Sequence, residues 1–472
     1  MKKKMILVLF LALVLLCGCQ TPMETVPPET TVPAQAGFTG DVSTYVRRYT
    51  GRWESGWEED ILFFAEKYLT EHSRVSDSNF FTDFTPGLSG SEEVIYDNSA
   101  FRPELRAAFI EAVDALLESI PEQSDETIVN ELHRIVAMLG DIHSNVFPAD
   151  WDYGDILPVC YEAFYQENGV DFRLSIVELD QSELLTAKLL SYNGIPVDEV
   201  VERLSEYMSH ESDRALGFML TTPYEFTGLN QKNLLVAAGI VQQSDKYVTA
   251  EFETADGVKS VKLKFQDSEA LRMLKAHPMM TGENLRFSDL SGYWWTMIDE
   301  ATLYAQLSTM VDDAYSGYSI DNLFSEVRTA MRDSDVPLKV ILDFRGNGGG
   351  YVHESALQGF VNATGWYEHD GIYILTDGNC FSAGVLAPYY LRQAIEGAKI
   401  VGAPTGQGLW FPANSAWYEM PNNGVGFTVG DEIICAVRDW EGDAVEPDVL
   451  IYQTFEDYEN TVDTVLAWVM AD

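Results

Sequence analysis

Three stretches of this chain carry groups that could do chemistry. The first is Gly346-Asn347-Gly348-Gly349-Gly350, which follows an apolar run over 338–344. Glycines directly after a buried strand let backbone N–H groups approach a ligand atom closely. The run lacks the Lys-Ser/Thr of a phosphate loop, and its glycine spacing does not suit a dinucleotide. Rigid N–H groups at such a place suit an oxyanion that forms during a reaction. Taken alone, the run reads first as a tight strand-to-helix turn. The second stretch is Asp377-Gly378-Asn379-Cys380-Phe381-Ser382-Ala383-Gly384. It puts the Ser382 hydroxyl at the expected start of a helix, with small neighbours that leave room for a substrate backbone. That is where a nucleophilic serine is placed, although a serine there also serves simply as an N-cap. The third is Asp141-Ile142-His143-Ser144. A serine nucleophile needs a base, and of the 7 histidines His143 has the best context, in a polar turn just past a helix end. His353 lies close to the glycine run, whereas His72, His133, His210, His277 and His369 read as surface or helix-side positions.

The elements that must position these groups follow from hydrophobic periodicity. Residues 39–150 read as helical: apolar side chains recur at three- and four-residue spacing over 59–72 and 104–120. A third helix starts at Asp125, with Ser124 as N-cap, acids in its first turn, and Val129, Leu132, Val136 and Leu139 on one face. Gly140 suits its C-terminus. Residues 151–285 are mixed, with a strand over 187–192, a turn at Asn193-Gly194-Ile195-Pro196, a helix over 197–208, and a hairpin of 247–252 with 258–265 through Asp256-Gly257. From 286 onward strands at 302–309, 338–344, 371–376 and 399–402 alternate with helices, one of them over 320–331. That order predicts an α/β region with a largely parallel sheet. Pro388 falls early in the helix after Ser382 and is expected to bend it.

Composition narrows the function classes. The chain has 472 residues, 46% of them apolar, which suits several globular domains. It carries 74 acidic against 30 basic residues, a formal net charge of −44. This excludes a nucleic-acid partner, which needs Lys and Arg to neutralise phosphates. Cys160, Cys380 and Cys435 are isolated in sequence and form neither a disulfide framework nor a C-x-x-C metal pattern, so packed thiols are expected and no metal or cofactor is called for. Lys2, Lys3 and Lys4 precede an apolar run over 5–16 that is too short to span a bilayer, which marks 1–18 as a signal peptide. The run ends in Leu16-Cys17-Gly18-Cys19, similar to the lipobox of bacterial lipoproteins. The resemblance implies acylation of Cys19, a Pro- and Thr-rich tether over 19–38, and a body anchored by lipid to the cell membrane on its extracytoplasmic side.

Taken in order, the segments from about 130 to 450 resemble the S41 serine peptidases, the C-terminal processing or tail-specific peptidase family. The similarity rests on Leu-Lys-Val-Ile-Leu-Asp-Phe-Arg-Gly-Asn-Gly-Gly-Gly over 338–350, on 371–384 around Ser382, on Ala444-Val445-Glu446-Pro447-Asp448, on 189–201 with its Asn-Gly-Ile-Pro-Val, and on Gly140-Asp141-Ile142-His143-Ser144. It implies an α/β fold: a ClpP/crotonase-like catalytic domain over 286–472, a PDZ-like α+β domain over 151–285, and an N-terminal helical region over 39–150. It further implies endopeptidase action through an acyl-enzyme, with Ser382 as nucleophile. The oxyanion hole would be the N–H of Ala383 and that of Gly348 or Gly349. One branch of the family uses a Ser–Lys dyad, but Thr405-Gly406-Gln407-Gly408 has Gln407 where that Lys would stand. A glutamine amide cannot take the serine proton. The tricorn-like branch instead takes a histidine from the N-terminal region, which implies His143 as base, a neutral imidazole near pH 7. Glu441 is then the carboxylate that orients it, with Ser144 as a bridge. The implied partners are a peptide or protein substrate, held by strand addition to the PDZ-like region, and the membrane through the lipid anchor. The alternative is a catalytically inactive peptide- or ligand-binding lipoprotein that retains the fold. Gln407 favours it; Ser382 together with His143 opposes it. A hydrolase of non-peptide esters or amides would use the same groups.

Overall fold

The strand–loop–helix alternation near the C-terminus folds into a six-stranded sheet. In spatial order its strands are Tyr293–Asp299, Thr302–Leu307, Leu338–Asp343, His369–Thr376, Lys399–Gly402 and Val449–Leu450. The first pair is antiparallel and each later pair is parallel. Parallel strands covered on both faces read as nearly continuous apolar runs, and successive side chains go to opposite faces. Leu303, Ala305, Leu307, Val340, Leu342, Ile372 and Ile374 pack with Phe324, Phe360 and Leu386 from helices Ile320–Asp333, Glu354–Trp366 and Ala383–Ala394. Their neighbours Tyr304, Ile341, Tyr373 and Leu375 pack on the other face with Val465 and Val469 of helix Thr464–Ala471. The computed structural model describes residues 38–42, 56–77, 81–83, 93–95, 100–149, 154–166, 169–221, 228–267, 274–282, 284–289, 292–313, 317–437 and 440–472. The expected signal peptide over 1–18, the lipidation site Cys19 and the tether up to residue 37 lie outside the described residues. No helix among the described residues is long and apolar enough to cross a membrane.

A second, antiparallel sheet has the order Gly257–Lys264, Tyr247–Thr254, Lys188–Tyr192, Gly169–Glu178 and Leu274–Ala276, with Cys160–Gln166 also paired to Gly169–Glu178. The hairpin closes where Thr254 pairs with Gly257, as its Asp-Gly predicts. Leu174, Leu189, Val248 and Phe252 pack with Val200, Leu204, Leu216 and Leu220 from helices Val197–Ser205 and Asp213–Thr221. Helix Val197–Ser205 ends three residues before the sequence places it.

The N-terminal helices Trp57–Glu71, Pro103–Ser119 and Asp125–Ala137 form as their periodicity predicts. Ser124 caps the third, its Oγ accepting the Thr127 N–H at 3.3 Å. The region is not purely helical, however, and its core is shared. Phe64, Tyr68, Phe109 and Leu132 pack with Phe427 and Val429 from a long C-terminal hairpin, Trp410–Glu419 with Gly426–Cys435. Strand Phe81–Asp83 pairs parallel to Gly426–Cys435, and Val146–Phe147 pairs antiparallel to it. Asp60 holds the hairpin turn by accepting the N–H groups of Asn422 at 2.9 Å and Asn423 at 2.8 Å. Helix Asp125–Ala137 contributes to the same core and ends at Ala137. Gly140, at φ +61°, turns the chain, and Arg74 Nη1 donates to the carbonyls of Leu139 at 2.6 Å and Gly140 at 2.5 Å. The Gly430 N–H donates to Ser144 Oγ at 2.9 Å, which pins the Asp141–Ser144 turn on the C-terminal hairpin.

Candidate active site

Ser382 lies between strand His369–Thr376 and helix Ala383–Ala394, with φ 51° and ψ −126°. The Gly384 N–H donates to the Phe381 carbonyl at 2.8 Å, so residues 381–384 form a tight turn with Ser382 at its first central position. These angles are those of a type II′ turn, where glycine is preferred. A serine held there stores about 1–3 kcal/mol of backbone strain. Its side chain makes no capping hydrogen bond, so an N-cap does not account for it. The residue is only half-buried.

The glycine run is tied to this turn by Asn347, which is fully buried. Its carbonyl accepts the Phe381 N–H at 2.9 Å, its Oδ1 accepts the Gly349 N–H at 2.9 Å, and its Nδ2 donates to the Leu307 carbonyl at 2.7 Å. Gly349, at φ +103°, backs directly onto the serine: a Cβ there would come within 2.7 Å of Ser382 Cβ and 2.9 Å of the Phe381 carbonyl. Gly349→Ala is therefore expected to cost about 1–3 kcal/mol of stability and to push Ser382 out of its turn. Thermal unfolding and Ser382 labelling of the same preparation read both effects. The Gly349 N–H is engaged by Asn347 and so is not free for a further acceptor. The N–H groups of Gly348 and Ala383 find no acceptor among the described residues.

His143 is buried, with its ring stacked on Phe411 at 5.8 Å and 8°. Its backbone N–H donates to Asp141 Oδ1 at 2.8 Å, and its Nδ1 stands 3.6 Å from the same oxygen. Ser415 Oγ donates to the His143 carbonyl at 3.0 Å. Asp141 Oδ2 faces Ser144 Oγ at 2.5 Å and His72 Nε2 at 3.2 Å. His72 Nδ1 accepts the Arg74 N–H at 3.1 Å, so Nε2 carries the His72 proton and donates to Asp141. Burial opposes the charge on Asp141, but His143 and His72 overcome it and hold the carboxyl well below the usual range. Burial likewise opposes a charged His143, and Asp141 followed by Glu211 outweighs it, raising the imidazole above its ordinary value.

Gln407 connects the two halves of the site. It is fully buried; its Oε1 accepts the Ser382 N–H at 2.7 Å, and its Nε2 faces both Glu211 oxygens at 3.0 Å. Ligand atoms of Asp141, His143 and Glu211 lie within 4.8 Å of one another, so the serine and histidine segments meet around Glu211 and Gln407. Among the described residues these three side chains are the group that could ligate a cation. Both Asp141 oxygens, however, already accept hydrogen bonds, and both Glu211 oxygens face Gln407.

No protein-family model matches the chain, and no curated protein matches it. Solved structures do. A crystal structure of a CPAF mutant aligns over 86% of this chain and 94% of that chain, with a TM-score of 0.55 and 13% identity. Mature CPAF complexed with lactacystin aligns over 89% and 97%, with a TM-score of 0.55 and 12% identity. A protein from Bacteroides fragilis NCTC 9343 assigned as an S41 protease overlaps more loosely, over 74% and 90%, with a TM-score of 0.34 and 12% identity. The chain shares the CPAF fold.

The glycine run backs onto the Ser382 turn, and Gln407 and Glu211 link that turn to His143, whereas Glu441 lies apart. Glu441 is exposed in a surface groove with Tyr389, Arg392 and Trp440. The Trp440 Nε1–H folds back onto the Gly442 carbonyl at 2.9 Å and closes a turn there. The carboxylates at His143 are Asp141 and Glu211, and Ser144 bonds Asp141 instead of bridging to Glu441. His353 precedes helix Glu354–Trp366 and faces the Met310 carbonyl at 3.2 Å. His72 and His277 are buried instead of exposed. Asp141 was within reach of sequence reasoning, since it lies two residues before His143. Glu211 carried no such signal: in a chain with 74 acidic residues it is one more acid in a polar stretch.

Proposed function

We propose that this chain is a serine endopeptidase that cleaves peptide bonds through an acyl-enzyme, exported and held at the cell membrane by a lipid on Cys19. Ser382 attacks the substrate carbonyl, and His143 takes its proton and returns it to the leaving amine. The Gly348 and Ala383 N–H groups receive the oxyanion, and Asp141, 3.6 Å from His143 Nδ1, orients the imidazole and stabilises the charge it carries once it holds the serine proton. The observation that carries this reading is Ser382 held in a strained turn with no capping role, against a glycine that admits no side chain. The inactive-lipoprotein alternative rested on Gln407 standing in place of a lysine. Here Gln407 has a different task, holding the serine main chain, which leaves the role of base to His143.

A fluorophosphonate probe tests the proposal. Mass spectrometry is expected to find the adduct on the peptide containing Ser382, with no adduct on Ser382→Ala. Absence of label from a folded wild-type preparation would leave the binding-lipoprotein reading. A label without cleavage of any member of a peptide library, but with turnover of simple esters, would keep the serine chemistry and change the substrate class.

A further inference from the structure

A short segment of the PDZ-like region reaches into this site at three successive points. Ser209 Oγ donates to the Asp141 carbonyl at 2.5 Å, and Ser212 Oγ donates to the Gly406 carbonyl at 2.7 Å. Between them Glu211 meets Gln407 through both carboxylate oxygens. The segment leads into helix Asp213–Thr221, whose Leu216 and Leu220 belong to the core of the PDZ-like sheet. The direction of the Glu211–Gln407 contact is fixed by chemistry. A backbone N–H only donates, so the Gln407 atom on Ser382 is its oxygen, and the amide nitrogen must face Glu211. Carboxylate, amide and peptide N–H then form a chain polarised head to tail, in which negative charge on Glu211 strengthens the bond at Ser382. That bond matters because the serine turn is strained and must be held from outside.

We infer that Glu211 is a positioning residue that acts through Gln407 to hold the Ser382 main chain in its turn, so that the PDZ-like region directly supports the nucleophile. The effect on rate rests on the peptidase reading; the effect on the Ser382 amide does not. The charged and titratable groups facing Glu211 are Asp141 and His143 of the turn after helix Asp125–Ala137, and Arg74 of the loop after helix Trp57–Glu71. Burial and then Asp141 push the Glu211 carboxyl up to about 7, against His143, Arg74 and Gln407. Protonation removes the charge and turns one of the two oxygens facing Gln407 into a donor, so the support weakens as pH falls through neutrality.

The test compares wild type, Glu211→Gln and the double variant Glu211→Gln with Gln407→Glu. The fluorophosphonate labelling rate of Ser382 is measured across neutral pH, together with the 1H–15N resonance of the Ser382 amide. In wild type, labelling should rise with pH more steeply than one ionisation allows, because His143 and Glu211 both lose a proton. Glu211→Gln should label roughly tenfold more slowly, as a charge-assisted bond becomes a neutral one, with a one-proton rise and a Ser382 amide that has lost its neutral-pH titration step. The double variant restores a carboxylate at the Ser382 N–H and should recover most of the rate. Wild-type labelling, pH dependence and amide titration in Glu211→Gln would overturn the inference. If wild type takes no label but its Ser382 amide step disappears in Glu211→Gln, the peptidase reading falls and the coupling stands.

Discussion

Asp141→Asn is expected to lower kcat/KM on a peptide substrate by about 10,000-fold, the loss that follows when a histidine base has its carboxylate partner replaced by an amide. The surroundings of Asp141 leave an amide no acceptable orientation. One oxygen accepts the His143 N–H at 2.8 Å; the other faces the Ser144 hydroxyl at 2.5 Å and the His72 Nε2 at 3.2 Å. The His72 proton is on Nε2, because its Nδ1 accepts the Arg74 N–H. Either way the asparagine turns, its NH2 group confronts a donor, and each buried donor left without an acceptor costs about 1–3 kcal/mol. The pH profile separates an electrostatic role from simple misfolding. Asp141 raises the His143 value against burial, which lowers it. With the charge removed, the acid limb of kcat/KM should move to lower pH while the plateau collapses. A limb that moves to higher pH, or a loss below about tenfold in a protein that melts like wild type, would show that His143 does not depend on Asp141.

The parts of the molecule legible in the sequence are those where a single local rule decides the outcome. Leu338–Asp343 and His369–Thr376 are buried on both faces, and their apolar runs declare them. Ser382 and the glycine run stand out because strand-to-loop junctions rich in small residues are uncommon. The hairpin Trp410–Glu419 with Gly426–Cys435 is hidden by the residues that accommodate the site. Pro412 and Asn414, the latter at φ 56°, interrupt its first strand. Gly430 interrupts the second where a Cβ would come within 2.4 Å of Asp141 Oδ2. The strand pattern is broken there to admit a carboxylate from the other end of the chain. Glu211 and His72 are invisible for a related reason. Their roles arise only when three sheets meet, and no periodicity within their own segments encodes that meeting. Glu441 shows the converse: proximity in sequence to the Pro447-Asp448 motif does not fix which side of a turn a carboxylate takes, and the Trp440–Gly442 turn leaves it exposed.

The scaffold under the glycine run depends on one guanidinium. Arg345, immediately before Gly346, bonds two carboxylates bidentately. Its Nε and Nη2 reach Asp343 at 2.9 and 2.6 Å, while its Nη1 and Nη2 reach Asp463 at 2.9 and 2.7 Å. Asp343 ends the central strand Leu338–Asp343, and Asp463 caps helix Thr464–Ala471 by accepting the Leu466 N–H at 2.9 Å. Sheet, glycine run and C-terminal helix therefore converge on a buried charge triad. Breaking such a pair from one side leaves uncompensated buried charge, so Arg345→Met is expected to cost about 3–5 kcal/mol, read as a shift in the denaturant midpoint near pH 7. The acid limb gives an independent check. Burial would raise the Asp463 carboxyl, but Arg345 holds it at about 2. A carboxyl depressed in the folded state contributes stability that is full above its unfolded value, about 3.9, and is lost as pH falls from there toward 2. Without Arg345 only the Leu466 N–H and Arg286 still oppose burial, so Asp463 takes up its proton at higher pH, and acid unfolding of Arg345→Met should begin at higher pH than that of wild type. A variant with an unchanged midpoint and unchanged acid unfolding would mean that helix and glycine run are held by packing alone, with the triad contributing only orientation.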